Sequence, residues 1–224
     1  MNVLVVGGHG SIGSAIVEKF QKCGHNVKAP PHEDFDVAEE HSISSFFAST
    51  PPIFDVVVYA TGINDPRGIL LCDDEIIYRT FKINAAGFVS IARRCLPFMQ
   101  KQLFGRIVAI NSLYGIVSRK NRLPYAMSKH ALTGAVQTLT LEFAQFGILT
   151  NAVSPGFIKT KMTEKNNSPD QIEELEKDIP IGRMGTGKDI AEIVEFLCSK
   201  NNTYITGQNI IVDGGYIVGG WQNA

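Results

Sequence analysis

The sequence predicts an α/β protein with a doubly wound parallel sheet in a single domain that spans residues 1–224. Short β-branched runs alternate with longer amphipathic stretches, which is the pattern of successive βαβ units. The run from Phe54 to Tyr59 is apolar throughout, as expected for a strand buried on both faces of a parallel sheet. A glycine-rich turn joins the first strand to the first helix. These three observations together predict the fold class.

The predicted elements follow in order along the chain. Strands are predicted at Val3 to Val6, Val27 to Ala29, Phe54 to Tyr59, Arg106 to Ile110, Leu149 to Val153 and Ile210 to Val212. Helices are predicted at Ser11 to Cys23, Asp73 to Gln100, Tyr125 to Phe146 and Lys188 to Ser199. The connection from Val27 to Asp36 is too short for a helix, so we expect the helix between the second and third strands to be short or missing. The most polar stretch, Lys159 to Asp178, is either a mobile lid or a plain solvated connection, with a short helix starting at Pro169.

Composition and charge narrow the range of partners. The net charge is −1, which favours neither nucleic acid nor an anionic membrane, and no apolar run approaches the ~20 residues of a membrane span. The four cysteines are far apart, without a CxxC pair or nearby histidines, so neither a metal site nor a disulfide framework is expected. The basic cluster of Arg119, Lys120 and Arg122 is interpreted as a solvated loop. No basic leader or cleavage site precedes Val3, so we expect a cytoplasmic protein that acts on small molecules.

The glycine turn has the spacing of a Rossmann-type, dinucleotide-binding fold. Gly8, Gly10 and Gly13 satisfy GxGxxG between the first strand and the first helix. Such a turn lets the backbone approach a pyrophosphate, and the helix N-terminus offers free N–H groups and a positive dipole end to the phosphates. The residues predicted to bind the cofactor here are Gly7, Gly10, Ser11, Ile12 and Gly13.

The nucleotide preference depends on the end of the second strand. NAD enzymes place an acidic residue about 20 positions after the turn, where it binds the ribose hydroxyls. This sequence has Lys28 to His32 in that region, without an acid. Either the cofactor carries a 2′-phosphate, or Glu33 or Asp34 takes the place of the acid. We favour NADP(H) over NAD(H).

Tyr125 and Lys129 form the candidate acid/base pair. They are four positions apart at the start of a predicted helix, so their side chains share one helical face. A tyrosine with a pKa near ~10 exchanges protons poorly at neutral pH. A nearby ammonium, together with the positive charge of an oxidised nicotinamide, favours the phenolate and is expected to lower the pKa of Tyr125. The pair is therefore expected to serve general acid/base catalysis.

Several motifs in order resemble the short-chain dehydrogenase/reductase family over essentially the whole chain. Ser112 precedes Tyr125 by thirteen residues, and Asn84 ends the run Phe81-Lys82-Ile83-Asn84. Further similar segments are Asp36-Val37, Pro155 to Thr160, Gly207 and Val212-Asp213-Gly214-Gly215. The resemblance implies an NAD(P)(H)-dependent oxidoreductase that interconverts a carbonyl and a secondary alcohol by hydride transfer.

The resemblance also implies a role for each residue. Tyr125 would exchange the proton of the substrate oxygen, and Ser112 would hydrogen-bond that oxygen. Lys129 would bind the nicotinamide ribose and tune Tyr125, and Asn84 would hold a water that links Lys129 to solvent. The other implied cofactor contacts are Asp36, Val37, Ala60, Gly62, Pro155, Gly156, Ile158 and Thr160. A homodimer or homotetramer formed through the long helices is implied as well.

Some of these residues have a simpler interpretation. Asp36 and Thr160 could each cap the segment that follows them. Asn84 could be a hydrogen-bonding residue of its helix, and Ser112 could satisfy backbone groups at the end of its strand. These alternatives stay open at the level of sequence.

The sequence departs from the family pattern at two places. At the adenosine end, Val6 replaces the usual threonine, and Tyr59-Ala60-Thr61-Gly62 replaces Asn-Asn-Ala-Gly. The glycine spacing is nearer to the epimerase-like branch, so a nucleotide-sugar reductase or epimerase is one alternative, and a non-catalytic NAD(P)-sensing regulator is another. The C-terminal half most resembles 3-oxoacyl-carrier-protein reductases, but Leu103 and Phe146 stand where that branch places carrier-docking arginines. No acyl carrier substrate is therefore assigned.

Overall fold

The computed structural model describes residues 1–160, 162–163 and 167–219. They form a six-stranded parallel sheet in the order β2-β1-β3-β4-β5-β6, with helices on both faces. The strands are β1 (Asn2–Val6), β2 (Asn26–Lys28), β3 (Val56–Tyr59), β4 (Gly105–Ile110), β5 (Ile148–Pro155) and β6 (Asn209–Val212). The helices are α1 (Ser11–Lys22), α2 (Glu40–Ser49), α3 (Asp74–Phe81), α4 (Gly87–Lys101), α5 (Leu123–Phe143), α6 (Pro169–Asp178), α7 (Gly187–Cys198) and α8 (Tyr216–Gly219). Among these described helices, none is both long and apolar enough to cross a membrane.

Two hydrophobic layers cover the two faces of the sheet. Val3 and Val5 of β1 pack in one layer with Ile190 of α7. Leu4 packs in the opposite layer with Ile91 of α4. Adjacent residues of a strand point to opposite faces, so β1 is buried on both sides. This confirms the doubly wound parallel sheet that the sequence predicts.

The strand order reverses beside β1. This strand pairs with β2 on one side and with β3 on the other, and Val3 lies opposite Val27 and Val56. Because the strands are parallel, their carboxyl ends open on the same edge of the sheet. Ligands of open α/β sheets bind in the crevice at such a reversal. The turn after β1 and the ends of β3, β4 and β5 border this crevice.

Residues 29–39 form turns and contain no helix, as the short connection predicts. The Asp36 N–H donates to Ser42 Oγ at 2.9 Å, and Phe35 and Val37 are buried. The segment therefore packs against the core and does not extend the sheet. Helix α2, of 10 residues, follows it and is the short helix between β2 and β3; its position is not predicted, because its few apolar residues stand among serines.

The helix predicted from Asp73 to Gln100 is interrupted in the structure. After α3, residues Lys82–Ala86 form a π-helix, and α4 continues from there. Such π segments are frequent at functional sites. This one carries Asn84 into the interior, where its side chain is fully buried.

The polar stretch from Lys159 to Asp178 includes a capped helix. The Ser168 hydroxyl accepts a hydrogen bond from the Gln171 N–H, and the Gln171 side chain accepts one from the Ser168 N–H. This capping box fixes the start of α6 and confirms the helix predicted at Pro169. Residues 161 and 164–166 of this stretch lie outside the described residues.

Candidate active site

A cleft of about 680 Å³ runs along the carboxyl edge of the sheet. It extends from the glycine turn after β1 to the start of α5. The predicted residues that line it are Gly7, Gly10, Ser11, Ile12, Val37, Ala60, Gly62, Ser112, Tyr125, Lys129, Pro155, Gly156, Ile158 and Thr160. Gly13, Asp36 and Asn84 were predicted for the same site and lie behind or beside this lining. The fold therefore brings most of the predicted site residues into one cavity.

The glycine turn is built for close backbone packing. Gly7 has a φ of +79°, a conformation that favours glycine, and a Cβ there would lie 2.8 Å from the Thr61 nitrogen. The Gly10 N–H donates to the Gly7 carbonyl at 3.1 Å. Gly13 packs directly beneath the turn, because a Cβ on it would collide with the Gly7 carbonyl group. The first N–H groups of α1 have no partner within the helix, so this end of the cleft can receive phosphate oxygens.

Tyr125 and Lys129 extend from the first turns of α5 into the other end of the cleft. The Lys129 Nζ lies 5.6 Å from the centre of the Tyr125 ring and donates to the Ile110 carbonyl at 2.8 Å. Lys129 is buried, whereas Tyr125 is half-buried and keeps part of its surface open to the cleft. The end of β4 thus holds the ammonium beside the phenol.

The pKa of Tyr125 shifts in the direction opposite to the sequence-based expectation. Burial raises the pKa of Tyr125, and the opposing effect of the Ser112 hydroxyl is smaller. Burial also lowers the pKa of Lys129 to about 8, which reduces its positive charge near neutral pH. Among the described side chains burial therefore outweighs any lowering by the lysine, and the further lowering expected from an oxidised nicotinamide stays a prediction. The phenol is held in its protonated form, and the amine is placed to exchange protons near neutral pH.

The burial of Lys129 predicts a pH dependence of stability. The unfolded lysine has a pKa near ~10.4, and in the fold the pKa is about 8, so between these values only the unfolded state binds the proton. The stability of the fold therefore rises with pH across this interval, by up to about 1.4 kcal/mol per pH unit. We expect Lys129→Met to lose this rise, measured as the free energy of urea unfolding against pH. The two proteins compared are Tyr125→Phe and the double variant Tyr125→Phe/Lys129→Met, so that ionisation of the phenol does not contribute to either profile. Identical pH profiles would show that Lys129 keeps an ordinary pKa.

Asn84 is held behind the cleft by its own hydrogen bonds. Its Oδ1 accepts from the Ile63 N–H at 2.8 Å, and its Nδ2 donates to the Ile63 carbonyl and to Ser128 Oγ, each at 2.9 Å. A Cβ on Gly62 would lie 3.2 Å from Asn84 Oδ1 and 3.5 Å from Lys129 Nζ. The Asn84 amide and the Lys129 ammonium therefore both lie behind Gly62. The role of Asn84 in holding a water stays a prediction.

Asp36 and Thr160 both stabilise their own segments. The Asp36 carboxylate accepts from the Ala38 N–H at 2.8 Å and does not cap α2, whose N-cap residue is Glu39. Thr160 Oγ1 accepts from the Thr163 N–H at 3.1 Å, as the capping alternative predicts, and it also lines the cleft. At the adenosine end it is Val37, not Asp36, that faces the cavity.

Sequence and structure comparisons place the chain among known proteins. Residues 29–217 match the family model described as enoyl-(acyl carrier protein) reductase. The chain is 32% identical over 233 residues to a 3-oxoacyl-[acyl-carrier-protein] reductase of Rickettsia felis, covering 96% of each protein. It is 31% identical to the corresponding reductase of Mycobacterium avium, covering 97% of this chain and 90% of that protein. The chain belongs to the short-chain dehydrogenase/reductase family.

A solved structure has the same fold as this chain. A 4-hydroxyisoleucine dehydrogenase mutant, complexed with NADH and succinate, superposes with a TM-score of 0.92 at 24% sequence identity. The superposition covers 98% of this chain and 99% of that one. As a short-chain dehydrogenase/reductase, the protein is an enzyme of NAD(P)-dependent oxidoreduction, which argues against the non-catalytic regulator.

The cleft fits the dinucleotide that the family implies. The glycine cradle leaves no room for a Cβ at Gly7 or Gly13, and Gly10 to Ile12 expose the start of α1 to the cavity. The same cavity continues without interruption to Lys129. These residues can hold a pyrophosphate at one end and a nicotinamide ribose at the other.

The structure adds site residues that the sequence analysis missed. Those that line the cleft are Val6, His9, Ser14, Pro30, Phe35, Thr61, Ile110, Asn111, Met162 and Thr163. Arg122 was interpreted as part of a solvated loop, but only 9% of its surface is exposed. That interpretation is wrong for Arg122, because it immediately precedes α5 and packs beside Tyr125 in a second, smaller cavity. The sequence offers no signal for this position, because Arg122 stands in the same basic cluster as Arg119 and Lys120.

Proposed function

We propose that the enzyme interconverts a carbonyl and a secondary alcohol on a small molecule, with Tyr125 exchanging the proton of the substrate oxygen. The observation that carries this proposal is the meeting of Ser112, Tyr125 and Lys129 in the cavity that also reaches the glycine turn. A bound nicotinamide supplies or accepts the hydride at the substrate carbon. The protein residues then have to position the substrate and manage one proton.

The chemistry of the three side chains suits reduction of a carbonyl. Burial favours the protonated phenol of Tyr125, which can donate its proton to the substrate oxygen as the carbon is reduced. The Ser112 hydroxyl can donate a hydrogen bond to the same oxygen while negative charge develops there. Lys129, whose pKa is about 8, can return a proton to Tyr125, and Asn84 is the proposed holder of a water that connects Lys129 to solvent. In the oxidative direction the same proton moves the other way.

The remaining predicted residues are proposed cofactor contacts. Pro155, Gly156, Ile158 and Thr160 would hold the carboxamide end of the nicotinamide. Gly7, Gly10, Ser11, Ile12 and Gly13 would surround the pyrophosphate. Asp36, Val37, Ala60 and Gly62 would border the adenosine, with Asp36 acting through the turn that it stabilises.

The adenosine end supports NADP(H) as the preferred cofactor. Pro30, His32 and Phe35 line the cleft there, and no aspartate or glutamate stands among the described lining residues. Lys28 ends β2 and is exposed, and His32 is largely exposed with its Nε2 4.0 Å from the Asp36 carboxylate, so both basic side chains can approach a 2′-phosphate. An acid that would bind the free ribose hydroxyls of NAD(H) is missing from this described lining.

Removing these two basic side chains is expected to change the preference. Lys28→Ala combined with His32→Ala should weaken NADPH binding about tenfold and leave NADH within about twofold, because only NADPH carries the extra phosphate. Titration of the reduced nucleotide by fluorescence measures both dissociation constants. His41→Ala, on the exposed face of α2, is the matched control. A wild-type protein that prefers NADH would contradict the proposed cofactor.

We propose a free small molecule as substrate and not an acyl group on a carrier protein. Leu103, with 66% of its surface exposed, and the uncharged Phe146 stand where carrier-docking arginines are expected. An acidic carrier therefore meets no positive charge at these two positions. The test is a screen with NADPH and NADH that compares small keto compounds with 3-oxoacyl groups on a carrier protein. Turnover of the carrier-bound substrate alone would overturn this part of the proposal.

We also propose a homodimer or homotetramer and a cytoplasmic location. Large apolar side chains are exposed on α3 and α5, with Tyr78 at 71% and Leu141 at 85% exposure, and a partner subunit would cover them. The four cysteines are free, which suits a reducing compartment. The nucleotide-sugar alternative gains no support, because the described residues form one sheet without a second substrate-binding unit.

A further inference from the structure

A second cavity of about 100 Å³ adjoins the cleft at the start of α5. It shares Ser112 and Tyr125 with the cleft, whereas the residues of the glycine turn do not line it. A cavity needs about 10–15 Å³ of such volume for each water, so this one has room for a few heavy atoms. It lies where a substrate would extend from the oxygen that Tyr125 and Ser112 contact.

The described lining of this cavity is positively charged. It contains Arg119 and Arg122, and no aspartate or glutamate stands among its described residues. Arg119 is exposed and lies 3.5 Å from the Tyr114 hydroxyl, so it belongs to the rim. Arg122 is buried, with 9% of its surface exposed. The inner wall of the cavity therefore carries a guanidinium.

This buried guanidinium has unused hydrogen-bond donors. The Nε and Nη1 atoms of Arg122 are inaccessible to solvent and have no hydrogen-bond partner among the described residues. Burying a charged group without a partner destabilises the fold, and buried arginines are ordinarily paired with an anion. Within the described part of the chain no carboxylate forms an ion pair with Arg122. Because Arg122 also lines the cavity, a ligand there that carries an anion would meet its charge.

The chemistry of the group indicates which anion fits. The planar guanidinium presents a fork of N–H donors that matches the two oxygens of a carboxylate. A carboxylate has two oxygens and one carbon and fits a cavity of about 100 Å³, which is too small for a long acyl chain. The small volume and the buried charge thus favour the same ligand.

We propose that Arg122 binds a substrate carboxylate, so that the enzyme acts on small hydroxy or keto acids. This inference rests on the proposed function, because it places the acid next to the oxygen that Tyr125 and Ser112 contact. The reduction adds a hydride to the keto carbon and a proton to its oxygen, and the carboxylate itself does not react. Arg122 orients the acid, and its charge excludes neutral analogues of the same size.

The first experiment compares acids with their neutral methyl esters. Pyruvate and acetoacetate, each against its methyl ester, are assayed with NADPH and NADH. We expect wild type to prefer an acid, and Arg122→Gln to lower the acid-to-ester ratio of kcat/KM about 100-fold, as for loss of a bidentate charged hydrogen bond. Arg122→Lys, which keeps the charge without the fork, should be intermediate. Arg93→Gln, an exposed arginine of α4, is the control for loss of one positive charge.

A second experiment measures binding without turnover. Oxalate, malonate and succinate, each against its diamide, are added in the presence of oxidised cofactor, and the melting temperature is recorded. At least one dicarboxylate should raise the melting temperature of wild type, with no effect on Arg122→Gln and none from the diamides. Arg122→Gln alone should melt no lower than wild type, since it removes an unpaired buried charge.

The outcomes separate this inference from the proposed function. If esters are reduced as well as acids and no dicarboxylate binds, Arg122 does not bind a substrate carboxylate, whereas the proposed oxidoreductase activity is supported. A uniform loss with Arg122→Gln on acids and esters alike would also overturn it, since that result indicates a structural role. If wild type binds the dicarboxylates through Arg122 but reduces no carbonyl compound with either cofactor, the proposed function is wrong and the anion site stands.

Discussion

Replacing Tyr125 by phenylalanine is expected to lower turnover about 100-fold or more, the scale of general acid/base catalysis. The substitution removes one oxygen from a side chain that otherwise keeps its place at the first turn of α5. Among the described residues that line this cleft, Tyr125 is the only tyrosine and Lys129 the only lysine. The affinity for the reduced cofactor should stay within about threefold of wild type, because the glycine turn and Lys129 are untouched.

The measurement separates chemistry from binding. Single-turnover rates report the proton and hydride step, and fluorescence titration reports the dissociation constant of the cofactor. Tyr114→Phe is the matched control, since the Tyr114 ring stands edge-on to Tyr125 at 6.2 Å between ring centres. This control should keep at least about a tenth of the wild-type turnover. Retained turnover in Tyr125→Phe would rule out the proposed acid, and a parallel loss of cofactor affinity would indicate a structural role for the hydroxyl.

The sheet could be predicted from sequence because its strands are buried on both faces. Every residue of β3 is buried, and such a run has few alternatives to a central parallel strand. Once the strands are parallel, residues that follow their carboxyl ends must meet on one edge. The glycine pattern assigns Gly7 to the site and the family resemblance assigns Ser112 and Pro155, and this topology is the physical reason why the three, distant in sequence, meet.

The adenosine end could not be predicted in the same way. Residues 29–39 have no period of two or of 3.6, so their path depends on tertiary packing of Phe35 and Val37 and not on local propensity. Helix α2 is short and serine-rich, and its stability comes from burying Ile43 and Phe46. Patterns of hydrophobicity do not specify contacts of this kind.

The pKa shifts of Tyr125 and Lys129 could not be predicted from the sequence either. Spacing alone puts Lys129 beside Tyr125, and from that the sequence predicts a lowered pKa for the phenol. Whether attraction or desolvation dominates depends on how deeply both groups are buried, and here burial determines both directions. Arg122 shows the same limit, since a basic residue just before a helix, in a cluster with Arg119 and Lys120, gives no sign in sequence that it points inward.

Substituting alanine for Gly13 is expected to disrupt the glycine turn and, with it, cofactor binding. A Cβ on Gly13 would overlap the Gly7 carbonyl oxygen and lie 2.8 Å from the Gly7 carbonyl carbon and 2.9 Å from the Gly8 Cα. All three are backbone atoms, so no side-chain rotation relieves the contact, and either the turn or the start of α1 must move. Overpacking of this kind destabilises a fold by about 1–3 kcal/mol.

Both stability and affinity should therefore fall in Gly13→Ala. A loss of about 2 kcal/mol corresponds to a melting temperature about 4–8 °C lower for a chain of this size. If the displaced turn also loses about 2–3 kcal/mol of cofactor binding, the dissociation constant rises about 30- to 150-fold. Differential scanning fluorimetry with and without NADPH measures the two effects on the same sample.

Gly10→Ala provides the control within the same motif. Gly10 has a φ of −74°, which alanine adopts freely, and a Cβ there would lie no closer than 3.4 Å to the Gly7 oxygen. Its melting temperature without cofactor should stay within about 1 °C of wild type. Any loss of NADPH affinity in Gly10→Ala then reports the approach of the pyrophosphate to that position, whereas Gly13→Ala acts through the turn itself. A Gly13→Ala protein that melts and binds like wild type would mean that the turn is not tightly packed and that GxGxxG does not form the phosphate site.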